Sequence, residues 1–236
     1  MAEFHKKFEH DDDKYFEYID NLLDESPSIK DIVFQFPVFV GSVNLARFLT
    51  LYEVYMKTIN ISGDILDIGT WKGFSFFTFA KLIKIFEPYS ATQVHCIDWF
   101  DGMKKSEKDL VKLTGSSNKY DECSEEIISN LLNLQGLEGV GRVNNLNIIT
   151  DLEGWCNERP WHRFKLIFLD CGIEEVLESS FKNLWDRLVP GGILLLDHFN
   201  SSASPSESNF VSKYCKNCEV KQISFSRSPS GYIIKK

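Results

Sequence analysis

Short apolar runs that alternate with longer helical segments constrain the fold of this chain most. From residue 63 onward five such runs occur, in the order DILDIG, TQVHCID, NLNIIT, FKLIFLD and GGILLLD. Segments with helical spacing of apolar residues fill the gaps, at about residues 73–87, 122–134, 151–158 and 174–188. Continuous apolar strands separated by helices are typical of a parallel sheet that is covered by helices on both faces. The pattern therefore predicts an α/β fold.

The two ends of the chain depart from this alternation. Apolar spacing predicts helices at about residues 12–24 and 42–58, before the first strand. After the last run, two alternating segments at 219–225 and 232–235 flank a turn rich in serine, which predicts an antiparallel hairpin at a sheet edge. We therefore divide the chain into a helical N-terminal extension or lid at 1–60 and a main domain at 61–236.

Composition and charge exclude several classes of partner. The chain has 236 residues and a formal net charge of −8, which disfavours binding to a nucleic-acid backbone. No segment approaches the roughly 18 apolar residues of a membrane span, and the N-terminus lacks the apolar core of a signal peptide. We expect a cytoplasmic protein that binds neither membrane nor nucleic acid. The six irregularly spaced cysteines are expected to be reduced, structural thiols.

The stretch ILDIGTWKGFS, which ends the first apolar run, contains the strongest binding signal. Gly69 and Gly73 suit a tight turn between a strand and a helix, where backbone N–H groups can meet a ligand. Trp71 occupies the position of the second glycine in the dinucleotide fingerprint, so a pyrophosphate could not approach the backbone there. The pattern D-x-G-x-x-x-G that begins at Asp67 indicates a nucleoside-type ligand without that phosphate contact.

Asp98, which ends the second apolar run, strengthens this interpretation. A carboxylate at the end of the second strand can accept hydrogen bonds from both ribose hydroxyls of an adenosine. The alternative is a loop carboxylate that caps a helix.

These residues resemble the class I S-adenosylmethionine-dependent methyltransferases, and more narrowly the macrocin O-methyltransferase family, whose G-x-W-R/K-G-x-S motif is similar to GTWKGFS. Three further stretches are similar to motifs of that family: IDWFDGM from Ile97, FLD from Phe168, and VPGGILLLDHF from Val189. The resemblance covers roughly residues 40–236. It implies a Rossmann-like seven-stranded sheet in the order 3-2-1-4-5-7-6, with the last strand antiparallel and the methyltransferase domain at 61–236.

The resemblance also implies an activity and a set of cofactor contacts. The expected reaction is O-methyl transfer from S-adenosylmethionine to a hydroxyl of a sugar or a glycosylated small molecule. The residues expected to contact the cofactor are Asp67, Gly69, Thr70, Trp71, Gly73, Ser75, Asp98, Trp99, Asp151 and Asp170. For Asp151, a contact to adenine and a helix N-cap remain equally open.

A metal site is expected where the fourth and fifth strands end. In the sheet order of the superfamily these strands are neighbours, so Asp170 and Asp197 would converge, and buried like charges need a cation or a proton between them. The resemblance implies a divalent metal, usually Mg²⁺, held by Asp170, Asp197 and His198. An imidazole as third ligand shifts the preference toward Mn²⁺ or another transition metal. The alternative is that both carboxylates bind loop amides.

Gly172 marks the main departure from the family, which places a proposed general base at this position. His198 could replace that base, with Asp170 beside it as the second catalytic residue, or the metal could acidify the acceptor hydroxyl. Two alternatives stay open: a protein that binds S-adenosylmethionine with lost or altered catalysis, and an NAD(P)-dependent oxidoreductase, against which Trp71 argues.

Two polar segments after strand ends, at 100–120 and 199–210, are interpreted as lids over a small-molecule acceptor. His95 is interpreted as a core residue and His162 as a surface residue. A homodimer stays open.

Overall fold

A seven-stranded sheet forms the centre of the computed structural model, which describes residues 14–22, 24–100, 124–201 and 205–236. The strand order is β3-β2-β1-β4-β5-β7-β6. The strands are β1 (Asp64–Ile68), β2 (Val94–Asp98), β3 (Gly141–Asn145), β4 (Phe164–Leu169), β5 (Leu188–Leu196), β6 (Val220–Gln222) and β7 (Gly231–Ile234). The first five strands pair in parallel, and β7 runs antiparallel to both of its neighbours. The expected Rossmann-like fold and strand order are confirmed.

Helices cover both faces of this sheet. In chain order they are α1 (Ile29–Phe34), α2 (Phe36–Phe39), α3 (Ser42–Lys57), α4 (Phe74–Phe86), α5 (Glu125–Leu134), α6 (Leu152–Asn157), α7 (Glu174–Leu184) and α8 (Ser206–Tyr214). Residues 14–22 are also helical. Successive side chains of a strand point to opposite faces, so Ile65 joins the core under α3, α4 and α5, while Leu66 joins the core under α6, α7 and α8.

Helix α3 is part of the first core. Leu51, Val54 and Tyr55 of this helix are fully buried against β1 and α4. By contrast, α1 and α2 bury no residue. The segment predicted as an N-terminal extension thus contains one helix packed into the core and shorter helices at the surface. The boundary between this extension and the main domain at residue 60 stays a prediction.

The position that the sequence pattern predicted for the third strand is wrong. The apolar run at 145–150 was expected to form it, but β3 covers Gly141–Asn145 and the run forms a turn. In that turn Ile148 is 6% exposed and Ile149 is 52% exposed, so the apolar residues fill the core without a strand. Because β3 lies at the edge of the sheet, its own sequence GRVNN is largely polar.

The structure describes only one of the two segments interpreted as lids in any detail. Most of 100–120 lies outside the described residues. The segment 199–210 includes the start of α8, a helix that buries Glu207, Phe210 and Val211, so it is a packed element from residue 206 onward.

The cysteine prediction is confirmed where the structure describes it. Cys96, Cys156, Cys171, Cys215 and Cys218 are free thiols, and three of these five are buried. Within the described ranges, no helix has the length and apolar character needed to cross a membrane.

Gly69 is the position where the backbone most strictly requires glycine. Its φ of +83° is a left-handed conformation, and a Cβ placed there would lie 2.1 Å from the carbonyl oxygen of Asp170. The close approach joins the end of β1 to the residue that follows β4, so it sets the position of Asp170.

We expect Gly69→Ala to destabilise the protein by more than about 2 kcal/mol, because it combines backbone strain with a clash against backbone. Denaturant unfolding of both variants provides the measurement, with Gly154→Ala as the matched control. A Cβ at Gly154 meets nothing within 4 Å in α6, so this change should raise stability by up to about 1 kcal/mol. Equal losses in the two variants would contradict the account.

Candidate active site

A buried hydrogen-bond network shapes the turn after β1. Asp67 is fully buried, and its carboxylate accepts hydrogen bonds from the hydroxyls of Thr70 at 3.0 Å and Ser75 at 2.9 Å. Burial raises the pKa of Asp67 to about 7, although both hydroxyls oppose that shift. Asp67 therefore stabilises the turn from its buried side without lining the cavity, whereas Thr70 and Ser75 bind Asp67 and also line the cavity.

Trp71 stands in the same turn in a left-handed conformation, with a φ of +46°. Its backbone N–H donates to the Asp98 carboxylate at 2.7 Å, which links the turn after β1 to the end of β2. Burial raises the pKa of Asp98, and the N–H groups of Trp71 and Trp99 oppose that shift. The rings of Trp71 and Trp99 are 43% and 41% exposed, so both lie at the open edge of the sheet.

Arg47 bridges the two carboxylates predicted to hold a metal. Its guanidinium extends from α3 and donates through Nη2 to Asp170 Oδ2 at 2.6 Å and through Nη1 to Asp197 Oδ1 at 2.5 Å. It also lies 5.6 Å from the centre of the Phe168 ring. Burial alone would lower the pKa of Arg47, but the two carboxylates outweigh it and raise the pKa. Sequence reasoning missed this residue.

Asp197 is the most fully bonded member of the cluster and is 1% exposed. Its Oδ2 accepts the hydroxyl of Ser228 at 2.6 Å and lies 3.0 Å from His198 Nδ1. Burial would raise the pKa of Asp197, yet His198 and Arg47 outweigh burial and lower the pKa below its usual range. The neighbouring Asp170 shows the opposite direction, since burial and the charge of Asp197 raise its pKa.

His198 is held as a cation by its neighbours. Burial would lower its pKa, but Asp197 and the nearby carboxylates raise it to about 9. Its backbone N–H donates to Glu207 Oε2 at 2.8 Å. Glu207 lies in α8 and is fully buried, and burial raises its pKa to about 8. The segment containing Glu207 was interpreted as a loop, so no sequence signal placed it at the site.

The structure brings together the three predicted metal ligands. Single donor atoms of Asp170, Asp197 and His198 all lie within 4.8 Å of one another. Asp151 directly precedes α6, and its carboxylate accepts hydrogen bonds from the backbone N–H of Asn147 at 3.0 Å and the hydroxyl of Thr150 at 2.7 Å. Its side chain makes no N-cap bond in the described structure, and its contact to adenine stays a prediction.

The position of the missing base holds no acidic side chain. Gly172 is exposed, and its carbonyl accepts the hydroxyl of Ser206 at 3.0 Å. Glu174 and Glu175 are exposed in the first turn of α7, where they complement the helix dipole. The titratable side chains of the charged cluster are therefore Asp170, Asp197, His198 and the buried Glu207.

A cavity of about 830 Å³ joins these parts. Its walls come from the N-terminal helices, the Trp71 turn, the strand ends and the segment before β7. Representative lining residues are Phe16, Arg47, Trp71, Asp170, His198 and Ser228. The cavity thus connects the turn after β1 with the charged cluster, an arrangement that suits two ligands side by side.

Comparison with known proteins agrees with this geometry. A family model described as a methyltransferase domain matches residues 66–199, which is more than half of the chain. No curated protein sequence matches the chain.

Three solved structures resemble the chain in fold at low sequence identity. CalS11, a calicheamicin methyltransferase, has 18% identity and a TM-score of 0.77, with 95% of this chain and 92% of that chain covered. Its apo form, described as a TDP-rhamnose 3′-O-methyltransferase, has 17% identity and a TM-score of 0.75, with 95% and 94% covered. The O-methyltransferase NovP has 18% identity and a TM-score of 0.59, with 81% and 80% covered.

We expect the imidazole of His198 to titrate near pH 9 in the folded protein, which NMR of the ring nitrogens can follow. Asp197→Asn should move its pKa back toward about 6.5, since the main partner charge is lost. Because the folded pKa is raised, the histidine stabilises the fold fully below about pH 6.5, and this contribution disappears as the pH rises through about 9. An unchanged pKa in Asp197→Asn would show that another group holds the proton.

Proposed function

The chain belongs to the methyltransferase domain family, and we propose that it transfers a methyl group from S-adenosylmethionine to a hydroxyl of a sugar or a glycosylated small molecule. That it is a class I S-adenosylmethionine-dependent methyltransferase follows from the family match over residues 66–199 and from the confirmed fold. This membership sets the oxidoreductase alternative aside. The acceptor, and the choice of oxygen as the atom methylated, belong to the proposal.

The observation that carries the proposal is the continuous cavity between the Trp71 turn and the Asp170–Asp197 cluster. In our proposal the methionine end of the cofactor lies beside Gly69, Trp71 and Gly73, and the ribose hydroxyls bind Asp98. Trp99 and Asp151 would flank the adenosine. A cofactor without phosphate suits this turn, because the left-handed Trp71 leaves no second glycine for a pyrophosphate to approach.

The second half of the cavity suits a hydroxylated acceptor. Its polar groups include the Arg47 guanidinium, the Asp170 carboxylate, the His198 ring and the Ser228 hydroxyl. Such a mixture of donors and acceptors can bind the hydroxyls of a sugar, and hydrogen-bonding sites of this kind reject analogues that lack them. The structural resemblance to a TDP-rhamnose 3′-O-methyltransferase agrees with this acceptor class.

The expected divalent metal does not fit the cluster as the described residues arrange it. The donor types of Asp170, Asp197 and His198 suit a divalent ion, but the facing carboxylate oxygens already bind the guanidinium of Arg47. A metal would have to displace Arg47, so we propose that this side chain is the cation of the site. Metal assistance, which the sequence led us to expect, is therefore not part of the proposed reaction.

The proposed reaction is an in-line displacement. The acceptor oxygen forms a bond to the methyl carbon as the carbon–sulfur bond breaks, and the electron pair of that bond turns the sulfonium into the neutral thioether of S-adenosylhomocysteine. The proton of the attacking hydroxyl passes to neutral His198, while Asp170 accepts a hydrogen bond from a neighbouring hydroxyl of the acceptor. Arg47 orients Asp170 and offsets its charge. Because the pKa of His198 is about 9, the imidazolium must first lose its proton to solvent.

Cofactor binding tests the proposed function before any acceptor is known. We expect S-adenosylmethionine to bind the wild type in calorimetry, and Asp98→Ala to weaken that affinity by about tenfold or more, as loss of a charged hydrogen bond predicts. Asp186→Ala, an exposed carboxylate beyond the site, is the matched control. Transfer of a labelled methyl group from S-adenosylmethionine to each of several sugar nucleotides, including TDP-rhamnose, then tests the acceptor class. Binding without transfer to any member would favour the alternative with altered catalysis.

A second prediction concerns Arg47. Wild-type protein should show no calorimetric binding of Mg²⁺ at Asp170 and Asp197, and methyl transfer should not change in the presence of a chelator. Arg47→Met leaves the carboxylates without their cation, so this variant should lose transfer by more than about tenfold and gain affinity for Mg²⁺.

The conservative variant Arg47→Lys keeps the positive charge at this position but lacks the planar guanidinium, so it separates the effects of these two properties. It should keep part of the activity and bind Mg²⁺ more weakly than Arg47→Met, because one ammonium cannot bridge both carboxylates as a guanidinium does. Wild-type activity that a chelator abolishes and Mg²⁺ restores would overturn the role given to Arg47.

A further inference from the structure

A second cluster of metal-ligating side chains lies at the N-terminal ends of the central strands, opposite the ends that carry the candidate active site. Asp64 begins β1, His95 is the second residue of β2, and His162 precedes β4 by two positions. These three strands are neighbours in the order β2-β1-β4. Since β1 rises roughly 3.3 Å per residue, the cluster lies roughly 13 Å along the strand from the turn that begins the active site.

Three donor atoms of this cluster converge on one point. Asp64 Oδ2 lies 2.7 Å from His162 Nε2 and 3.6 Å from His95 Nε2, and single donor atoms of the three residues lie within 4.8 Å of one another. Around a tetrahedral Zn²⁺ with bonds near 2.1 Å, ligand atoms are separated by roughly 3.4 Å. The two distances from Asp64 Oδ2, 2.7 Å and 3.6 Å, lie on either side of this value.

His95 supplies an independent sign that a ligand is missing. It is 8% exposed, and within the part of the chain that the structure describes neither of its ring nitrogens makes a hydrogen bond. Buried polar groups are satisfied in the large majority of cases, because an unpaired one loses its interaction with water without replacement. Its Nε2 is the ring nitrogen that faces Asp64 Oδ2, so an ion at the convergence point would satisfy it.

The surroundings hold the other two ligands in place. Asp64 Oδ1 accepts the backbone N–H of Gln93 at 2.8 Å, which leaves Oδ2 directed at the imidazoles. The His162 ring packs against Phe164 at 4.6 Å and Trp155 at 5.6 Å between ring centres. Partners of this kind orient metal ligands. A cavity of about 690 Å³ reaches all three ligands and leaves room for a water molecule as the fourth.

We propose that Asp64, His95 and His162 form a binding site for a divalent transition metal, with Zn²⁺ as the ion of best fit. Two imidazoles and one carboxylate are ligands that Zn²⁺ accepts, with water completing the tetrahedron. The site ties the starts of β1 and β2 to the loop before β4, so its role is to stabilise that edge of the sheet. It is independent of the proposed acceptor and of the arrangement around Arg47.

Co²⁺ and Zn²⁺ alone are the probes for the test. The protein, stripped of metal with a chelator, should bind one equivalent of Co²⁺ with the visible absorption of a tetrahedral complex, and Zn²⁺ should displace it. Zn²⁺ should also raise the thermal midpoint in proportion to the logarithm of its concentration. His162→Asn should weaken Zn²⁺ affinity by more than about tenfold, the least that loss of even an outer partner costs.

His198→Asn is the matched control, since it removes an imidazole from the other cluster and should leave Zn²⁺ affinity unchanged. Cofactor binding, measured on the same His162→Asn sample, reports that the variant is folded. Wild-type protein that binds no Co²⁺ or Zn²⁺ above the background of the His162→Asn variant would overturn the proposal. Loss of binding in His198→Asn with retention in His162→Asn would overturn it equally.

Discussion

The bridge from Arg47 to Asp170 and Asp197 is the interaction on which the arrangement of the site depends. Two carboxylates at the ends of neighbouring strands repel each other in a buried setting, and one guanidinium bonded to both offsets that repulsion. Removing one partner of a buried pair costs about 3–5 kcal/mol because it leaves an unpaired charge. The cost here is smaller, since the side chains of Arg47 and Asp170 are 20% and 25% exposed.

The same bridge connects distant parts of the sequence. Arg47 lies in α3, the carboxylates follow β4 and β5, and Ser228, which donates to Asp197, lies in the segment before β7. Helix α3 can deliver its guanidinium because Leu51 and Tyr55, one and two turns further along, anchor it in the core. The part of the cavity that we propose binds the acceptor is thereby built from segments early and late in the sequence around one charged centre.

The turn after β1, where we propose that the cofactor binds, depends on a different pair of carboxylates. Asp67 binds two hydroxyls of its own turn, and Asp98 holds the backbone of Trp71 in its left-handed conformation. A tryptophan can stand in this turn because the hydrogen bond to Asp98 supports its backbone and its ring faces the open edge. The turn is therefore shaped in advance for a cofactor that needs no phosphate contact.

Sequence reasoning predicted the elements whose signals are local or carried by the family motifs. The apolar strands other than the third, and the order of the sheet, were confirmed, and the convergence of Asp170 and Asp197 followed from the neighbouring positions of their strands. Arg47 was missed because it lies 123 positions from Asp170, on a helix whose apolar stripe predicted only packing. Glu207 was missed because its polar segment reads as a loop, although a helix buries it.

A crystal structure of the protein with S-adenosylmethionine, grown in Mn²⁺ and measured at a wavelength where manganese scatters anomalously, tests the central claim most directly. The account predicts guanidinium density between Asp170 and Asp197, with one nitrogen at hydrogen-bond distance from each carboxylate, and no anomalous peak there. An anomalous peak coordinated by Asp170, Asp197 and His198, with the Arg47 side chain displaced from the carboxylates, would contradict it.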